Sequence, residues 1–200
     1  MTRPRRIGLF GGTFDPVHLG HLAAAEAARI SCSLDEVRFI PCRISPHKTS
    51  AAPTPAADRI AMLSLATKDL PWAVTDDVET KREGPSFSWQ TAEEIHRLLP
   101  GAELFWIMGT DQWKKLPTWA HPEILAQRVT FAVVHRDGSA PSPMDGYSLI
   151  PVPCSHPASA STIRNEITRD PNPRGWLPPA AATYIHEHGL YRPPAHASGD

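Results

Sequence analysis

The segment Gly11-Gly12-Thr13-Phe14-Asp15-Pro16-Val17-His18-Leu19-Gly20-His21 constrains this chain more than any other. It follows a short apolar run, Ile7 to Phe10, that reads as buried strand. It leads into an alanine-rich stretch, Leu19 to Ile30, that reads as helix. A strand, a glycine-rich turn and a helix start together make an anion site, because free backbone N–H groups and the positive helix end face one place. His18 and His21 fall on neighbouring positions of the first helical turn. The whole suits a polyphosphate. Taken singly, the parts have plainer readings. Paired glycines after a strand make a tight turn, and a His pair at this spacing can be half of a zinc site. Zinc would need further ligands, and none lies nearby in a recognisable spacing.

Strand-like and helix-like runs alternate along the chain. Arg5–Phe10, Val37–Pro41, Trp72–Val78, Glu103–Met108, Val129–His135 and Tyr147–Val152 are predicted strands. Leu19–Ile30, Ala56–Leu70, Ser88–Leu99, Ser159–Thr168 and Pro178–His188 are predicted helices; Ile60, Leu63 and Ala66 give the second its helical spacing and Ser88 is placed to cap the third. Cys42 to Pro55 reads as a long polar loop. This alternation predicts an α/β fold: a Rossmann-like, doubly wound, mainly parallel sheet with helices on both faces and right-handed crossovers. Ligands of such sheets sit beyond the carboxyl ends of strands, where the strand order switches. Gly11, His47, Glu79 and Gly109 follow the first four strands in turn. One domain is expected over residues 1–192, followed by a loose, mobile tail at 193–200.

Composition narrows the function classes. The formal net charge of -1 leaves no broad basic face for nucleic acid. No run of about 18 apolar residues is present, so no membrane span is expected. The basic N-terminus leads into a strand rather than a signal-peptide core. Three scattered cysteines without a Cys-x-x-Cys pair point to a reducing, cytoplasmic setting. The turn after the first strand lacks Gly-x-Gly-x-x-Gly, and no Gly-x-x-x-x-Gly-Lys-Ser/Thr loop occurs, which disfavours dinucleotide oxidoreductases and P-loop ATPases.

Further motifs lie after the other strands. They are Pro46-His47-Lys48, Arg82-Glu83-Gly84-Pro85-Ser86-Phe87-Ser88, Gly109-Thr110-Asp111 with Trp119 beyond it, and Ser159-Ala160-Ser161-Thr162-Ile163-Arg164. Leu177-Pro178, Tyr184-Ile185 and His188-Gly189-Leu190-Tyr191 close the chain. With the first motif, this set resembles the nucleotidyltransferases that carry a His-x-Gly-His signature. Over nearly the full length it looks like the bacterial nicotinate-nucleotide adenylyltransferase family. The resemblance implies transfer of the adenylyl group of ATP to nicotinate mononucleotide, giving nicotinate adenine dinucleotide and pyrophosphate in NAD biosynthesis. It implies an ATP site of Gly11, Gly12, Thr13, Phe14, His18, His21, Ser159, Ser161, Ile163 and Arg164, with His18, His21, Lys48 and Arg164 catalytic. It implies a nicotinate-mononucleotide site of Phe87, Ser88, Asp111, Trp119, His47, Lys48 and Arg136, with Trp119 stacked on the pyridine ring. Mg2+ would arrive with ATP, without a dedicated protein site. This chain departs from its relatives in having Phe87-Ser88 where Tyr-Thr is common and Ser161 where Thr is common. A hydroxyl survives at Ser88 and at Ser161.

The chemistry of these residues is consistent with such a reaction. A phosphate monoester has its second pKa at ~6, so the acceptor phosphate is already a dianionic nucleophile at neutral pH. The protein needs to align the partners and neutralise charge, which backbone amides, imidazole, Lys and Arg can do. The helix beginning near Ser159 is expected to add a second anion site, with Ser159 or Ser161 as cap and Arg164 reaching the phosphates. The alternatives are pantetheine-phosphate adenylyltransfer, adenylyltransfer to nicotinamide mononucleotide, and a non-catalytic nucleotide sensor on the same fold.

Overall fold

The computed structural model describes residues 3–44, 52–136 and 140–192. Six strands form one sheet: β1 (Arg6–Gly12), β2 (Glu36–Pro41), β3 (Ala73–Thr75), β4 (Glu103–Gly109), β5 (Val129–His135) and β6 (Leu149–Pro153). Their order is β3-β2-β1-β4-β5-β6, and every neighbouring pair is parallel. This is the doubly wound arrangement that the alternation predicts. Chain order reverses between β1 and β4, which opens a crevice at the carboxyl ends of those strands. The register shows where the crevice begins. β1 pairs with β4 only from Arg6–Glu103 to Leu9–Trp106, but with β2 as far as Gly12–Pro41. Phe10, Gly11 and Gly12 therefore run on beside β2 alone.

The helices are α1 (Leu19–Ser31), α2 (Ala56–Thr67), α3 (Val78–Lys81), α4 (Ser88–Leu98), α5 (Thr110–Lys115), α6 (Pro122–Ala126), α7 (Ala160–Glu166) and α8 (Pro179–Glu187), with 3-10 turns at Leu116–Thr118 and Pro173–Gly175. Side chains alternate across the strands and feed two cores. Val37, Phe39, Phe105, Ile107 and Val152 pack on one face with Ala25, Ala28, Met62, Leu63, Ile163 and Ile185 of α1, α2, α7 and α8. Ile7, Leu9, Trp106, Met108 and Phe131 pack on the other with Ala92, Ile95, Trp113 and Leu125 of α4, α5 and α6. Among the described residues no helix is long and apolar enough to cross a membrane.

Two sequence expectations need correction. The third strand stops at Thr75 rather than Val78, because Asp76 Oδ1 accepts the Val78 N–H at 3.1 Å and turns the chain into α3. The helix that Ile60, Leu63 and Ala66 space out is α2; Leu63 is buried with Arg59, Met62 and Thr67, and Ala66 packs against the core. Ser88 is the first residue of α4, with Phe87 in the capping position. The expected tail at 193–200 lies outside the described residues.

Candidate active site

The β1–α1 turn is fixed from several directions. Phe14 adopts φ 49°, a left-handed conformation, and its ring is buried against Phe10, Phe39 and His21, at centroid distances of 5.6, 5.9 and 5.0 Å. A Cβ on Gly12 would stand 3.0 Å from that ring, so the turn closes this tightly only with glycine there. Arg59 is 1% exposed; its Nη1 donates to Thr13 O and its Nε to Thr54 O, each at 2.8 Å. Asp15 is gripped at three oxygens. Tyr191 Oη donates to Oδ1 at 2.6 Å, the Thr54 N–H to Oδ2 at 3.2 Å, and Arg164 Nη1 to the backbone carbonyl at 2.6 Å. The first N–H of α1, on Leu19, is given to Trp176 O at 2.8 Å.

This frame presents two imidazoles. His18 holds the capping position of α1 in an extended conformation, and its N–H donates to His21 Nδ1 at 3.2 Å. The two rings stack at 3.7 Å between centroids, 21° apart. Because His21 Nδ1 accepts, the His21 hydrogen sits on Nε2, where it can donate. His18 lies over Gly20: a Cβ there would be 3.0 Å from His18 Nδ1, which gives the glycine between the two histidines its physical reason. Burial lowers the His18 pKa to about 4, and the charges of His156 and Arg136 push it the same way. The free protein therefore holds His18 neutral at pH 7.

The start of α7 reaches the same turn, since Ala158 Cβ lies 3.4 Å from where a Gly20 Cβ would be. Ser159 occupies the capping position without making a side-chain cap. Its hydroxyl is instead 2.8 Å from that of Ser161, which corrects the expectation that either serine caps the helix. Ile163 is fully buried in the core and its N–H donates to Ser159 O at 3.0 Å, so it anchors α7 and offers no side-chain surface to a ligand. Phe14 is likewise buried and shapes the turn from behind. Arg164 is brought to the turn by its bond to Asp15. Arg136 is exposed at the end of β5, close enough for its charge to act on His18.

The other end of the crevice is built on α4. Glu79 is 4% exposed, and burial raises its pKa. Thr91 Oγ1 donates to Glu79 at 2.7 Å, and Arg82 Nη2 donates to Thr91. Ser86 Oγ accepts the Arg43 N–H at 3.0 Å, and the Ser86 N–H bonds to Ile44 O at 3.0 Å, so the segment before α4 is laced to the end of β2. Phe87 and Ser88, both half-buried, open α4. The adjacent Trp89 ring meets His121 at 5.1 Å, and Trp119, half-buried, packs against the same core as Trp89. Asp111 is exposed in the first turn of α5. His47 and Lys48 lie outside the described residues.

Sequence reasoning assigned no role to Arg59, Asp15, Tyr191, Glu79 or His156. The signal for Arg59 was available: it lies on the helical stripe with Met62 and Leu63, where an arginine must find buried acceptors. Nothing in the spacing of Asp15 and Tyr191 announces a contact across 176 positions. Among the described residues, no group of three or more His, Cys, Asp or Glu side chains is arranged to hold a metal ion. The Asp15 carboxylate, nearest the imidazoles in sequence, already has both oxygens engaged.

The cytidylyltransferase-like family model matches residues 9–166. A probable nicotinate-nucleotide adenylyltransferase from Thermus thermophilus is 40% identical over 190 residues, covering 94% of this chain and 100% of the relative. One from Neisseria meningitidis is 38% identical over 200 residues, covering 94% and 98%. Among solved structures, Plasmodium falciparum nicotinic acid mononucleotide adenylyltransferase complexed with NaAD superposes with a TM-score of 0.76 at 17% identity, covering 94% of this chain and 97% of that one. The identity to the bacterial relatives extends over both ends of the crevice, and on that ground the chain belongs to the nicotinate-nucleotide adenylyltransferases of the cytidylyltransferase-like family.

Proposed function

We propose that this protein transfers the adenylyl group of ATP to nicotinate mononucleotide, forming nicotinate adenine dinucleotide and pyrophosphate, as a step in NAD biosynthesis. The observation that carries the reading is the pinned, stacked His18–His21 pair at the switch point, with Arg164 tied to the same turn. The acceptor phosphate oxygen forms a bond to the α-phosphorus, while the bond from that phosphorus to the α,β-bridging oxygen breaks. The electron pair leaves with pyrophosphate. The Gly11–Phe14 backbone lines the triphosphate, His21 donates through Nε2, and Arg164 neutralises charge on the departing group. His18 backs His21 and gains a proton only as bound anion raises its pKa. Lys48 and His47 would add to the phosphate contacts from the loop after β2, and Ser159 and Ser161 from the start of α7. Arg136 would hold the acceptor phosphate.

Ser88 and the Phe87 backbone would receive the nicotinate carboxylate, with Trp119 against the pyridine ring and Asp111 on the ribose side. Mg2+ arriving with ATP and held by the triphosphate would neutralise phosphate charge. Pyrophosphate release, measured with ATP and each of three acceptors, tests the assignment. Nicotinate mononucleotide should be preferred by at least tenfold in kcat/KM over nicotinamide mononucleotide and pantetheine phosphate. Equal or better turnover of either of those two would overturn it.

A further inference from the structure

A third imidazole stands at the phosphate end. His156 lies in the short connection between β6 and α7, and its Nδ1 accepts the Ala158 N–H at 3.1 Å. Ala158 is itself packed on Gly20, between the two histidines of the first turn. The ring is thus carried to the imidazole pair by a residue in contact with it, and a proton on it would oppose one on His18. The backbone bond also fixes the ring chemistry. A nitrogen that accepts a hydrogen bond carries no proton, so in this arrangement the ring holds its hydrogen on Nε2. His21 is locked in the same way by the His18 N–H. Two imidazoles from opposite ends of the chain therefore share one tautomer, each imposed by a main-chain amide. Among the described residues the cluster does not have a metal-binding arrangement, and neutral Nε2–H groups are suited to phosphate oxygens.

We propose that His156 is a further phosphate-binding residue of the ATP site, donating its Nε2–H to the β,γ-phosphates of ATP and to the pyrophosphate that leaves. This rests on the adenylyl-transfer reading. His156 acts as a donor and not as a proton-transferring acid, since loss of the Nε2 proton would leave an anionic ring.

Two substitutions separate the donor from the turn. His156→Asn keeps an acceptor near the Nδ1 position, so the bond to the Ala158 N–H survives while the distal donor is lost. His156→Gln places an amide N–H near the Nε2 position. ATP and pyrophosphate binding are read by calorimetry on the full chain without an acceptor, alongside KM for each substrate. His156→Asn should weaken ATP and pyrophosphate about tenfold, the scale of one hydrogen bond to a charged group. His156→Gln should stay within about threefold of wild type, and KM for nicotinate mononucleotide should be unchanged in both. If His156→Asn binds ATP and pyrophosphate as wild type does, the residue only shapes the turn and the proposal is wrong. It is equally wrong if His156→Gln is as impaired as His156→Asn. If wild-type protein forms no dinucleotide from nicotinate mononucleotide, the functional reading fails, and the ATP and pyrophosphate titrations still decide the role of His156.

Discussion

The two ends of the crevice are held in place by different kinds of contact. At the phosphate end, single long side chains reach one turn from far away in sequence: Arg59 and Arg164 to the main-chain carbonyls of Thr13 and Asp15, and Tyr191 to the Asp15 carboxylate. At the acceptor end most side-chain ties are local, and one spans 43 positions, from Ser86 to Arg43. Thr91, Arg82 and Glu79 bond to one another within one short stretch, and Ser86 is laced to the adjacent end of β2. A turn that must grip a polyanion with backbone amides cannot spend those amides on itself, so its rigidity has to come from outside. A recess for one aromatic carboxylate can be shaped by the helix that carries its hydroxyl.

The difference can be broken from either side. The largest effect is expected at Arg164, which is exposed and contributes little to the core. Arg164→Ala should reduce kcat by about 10³, the scale of a guanidinium acting on a transferring phosphoryl group, with thermal stability nearly unchanged. A steady-state rate within threefold of wild type would remove Arg164 from the chemistry. Next comes Arg59. Arg59→Met leaves the Thr13 and Thr54 carbonyls without their buried donor, which should cost about 3 kcal/mol of stability in denaturant titration. It should also raise KM for ATP more than KM for the mononucleotide.

The depressed pKa of His18 gives a pH signature. The unfolded chain binds a proton near pH 6.5, but the folded one only near 4. Between those values the unfolded state holds more protons, so stability is full above pH 6.5 and falls as pH drops towards 4, by up to about 3 kcal/mol. His18→Gln should flatten that part of the stability–pH curve, and an unchanged slope would show that His18 is not held neutral. The smallest effect sharpens the acceptor end. Ser88→Ala should raise KM for nicotinate mononucleotide about tenfold through one lost hydrogen bond to a carboxylate, with KM for ATP unmoved.

The doubly wound parallel sheet and the imidazole pair were legible because they depend on period and on local spacing. Ile7 to Phe10 had to be a strand, and the chain had to turn between it and the helix that carries His21, although Gly11 and Gly12 still belong to β1. Short elements were not legible: α5 and α6 span too few residues for a helical period to emerge. The struts were hidden for another reason. Tyr191 was visible as part of a closing motif, yet its hydroxyl finds Asp15 only after the sheet and both flanking helices are assembled. The placement of Ile163 in the core shows the converse, since a motif residue can serve the site by holding its helix rather than by facing a ligand.

The account holds that the protein aligns and neutralises while the substrate's own phosphate attacks, with both histidines of the first turn acting as supports that never take up the adenylyl group. The stereochemistry at the transferred phosphorus tests this most directly. With the Sp isomer of ATP carrying sulfur at the α-phosphorus, one direct displacement should give dinucleotide of inverted configuration. Net retention would mean that an adenylyl group had first been passed to the protein, His21 or His18 included, and would contradict the account.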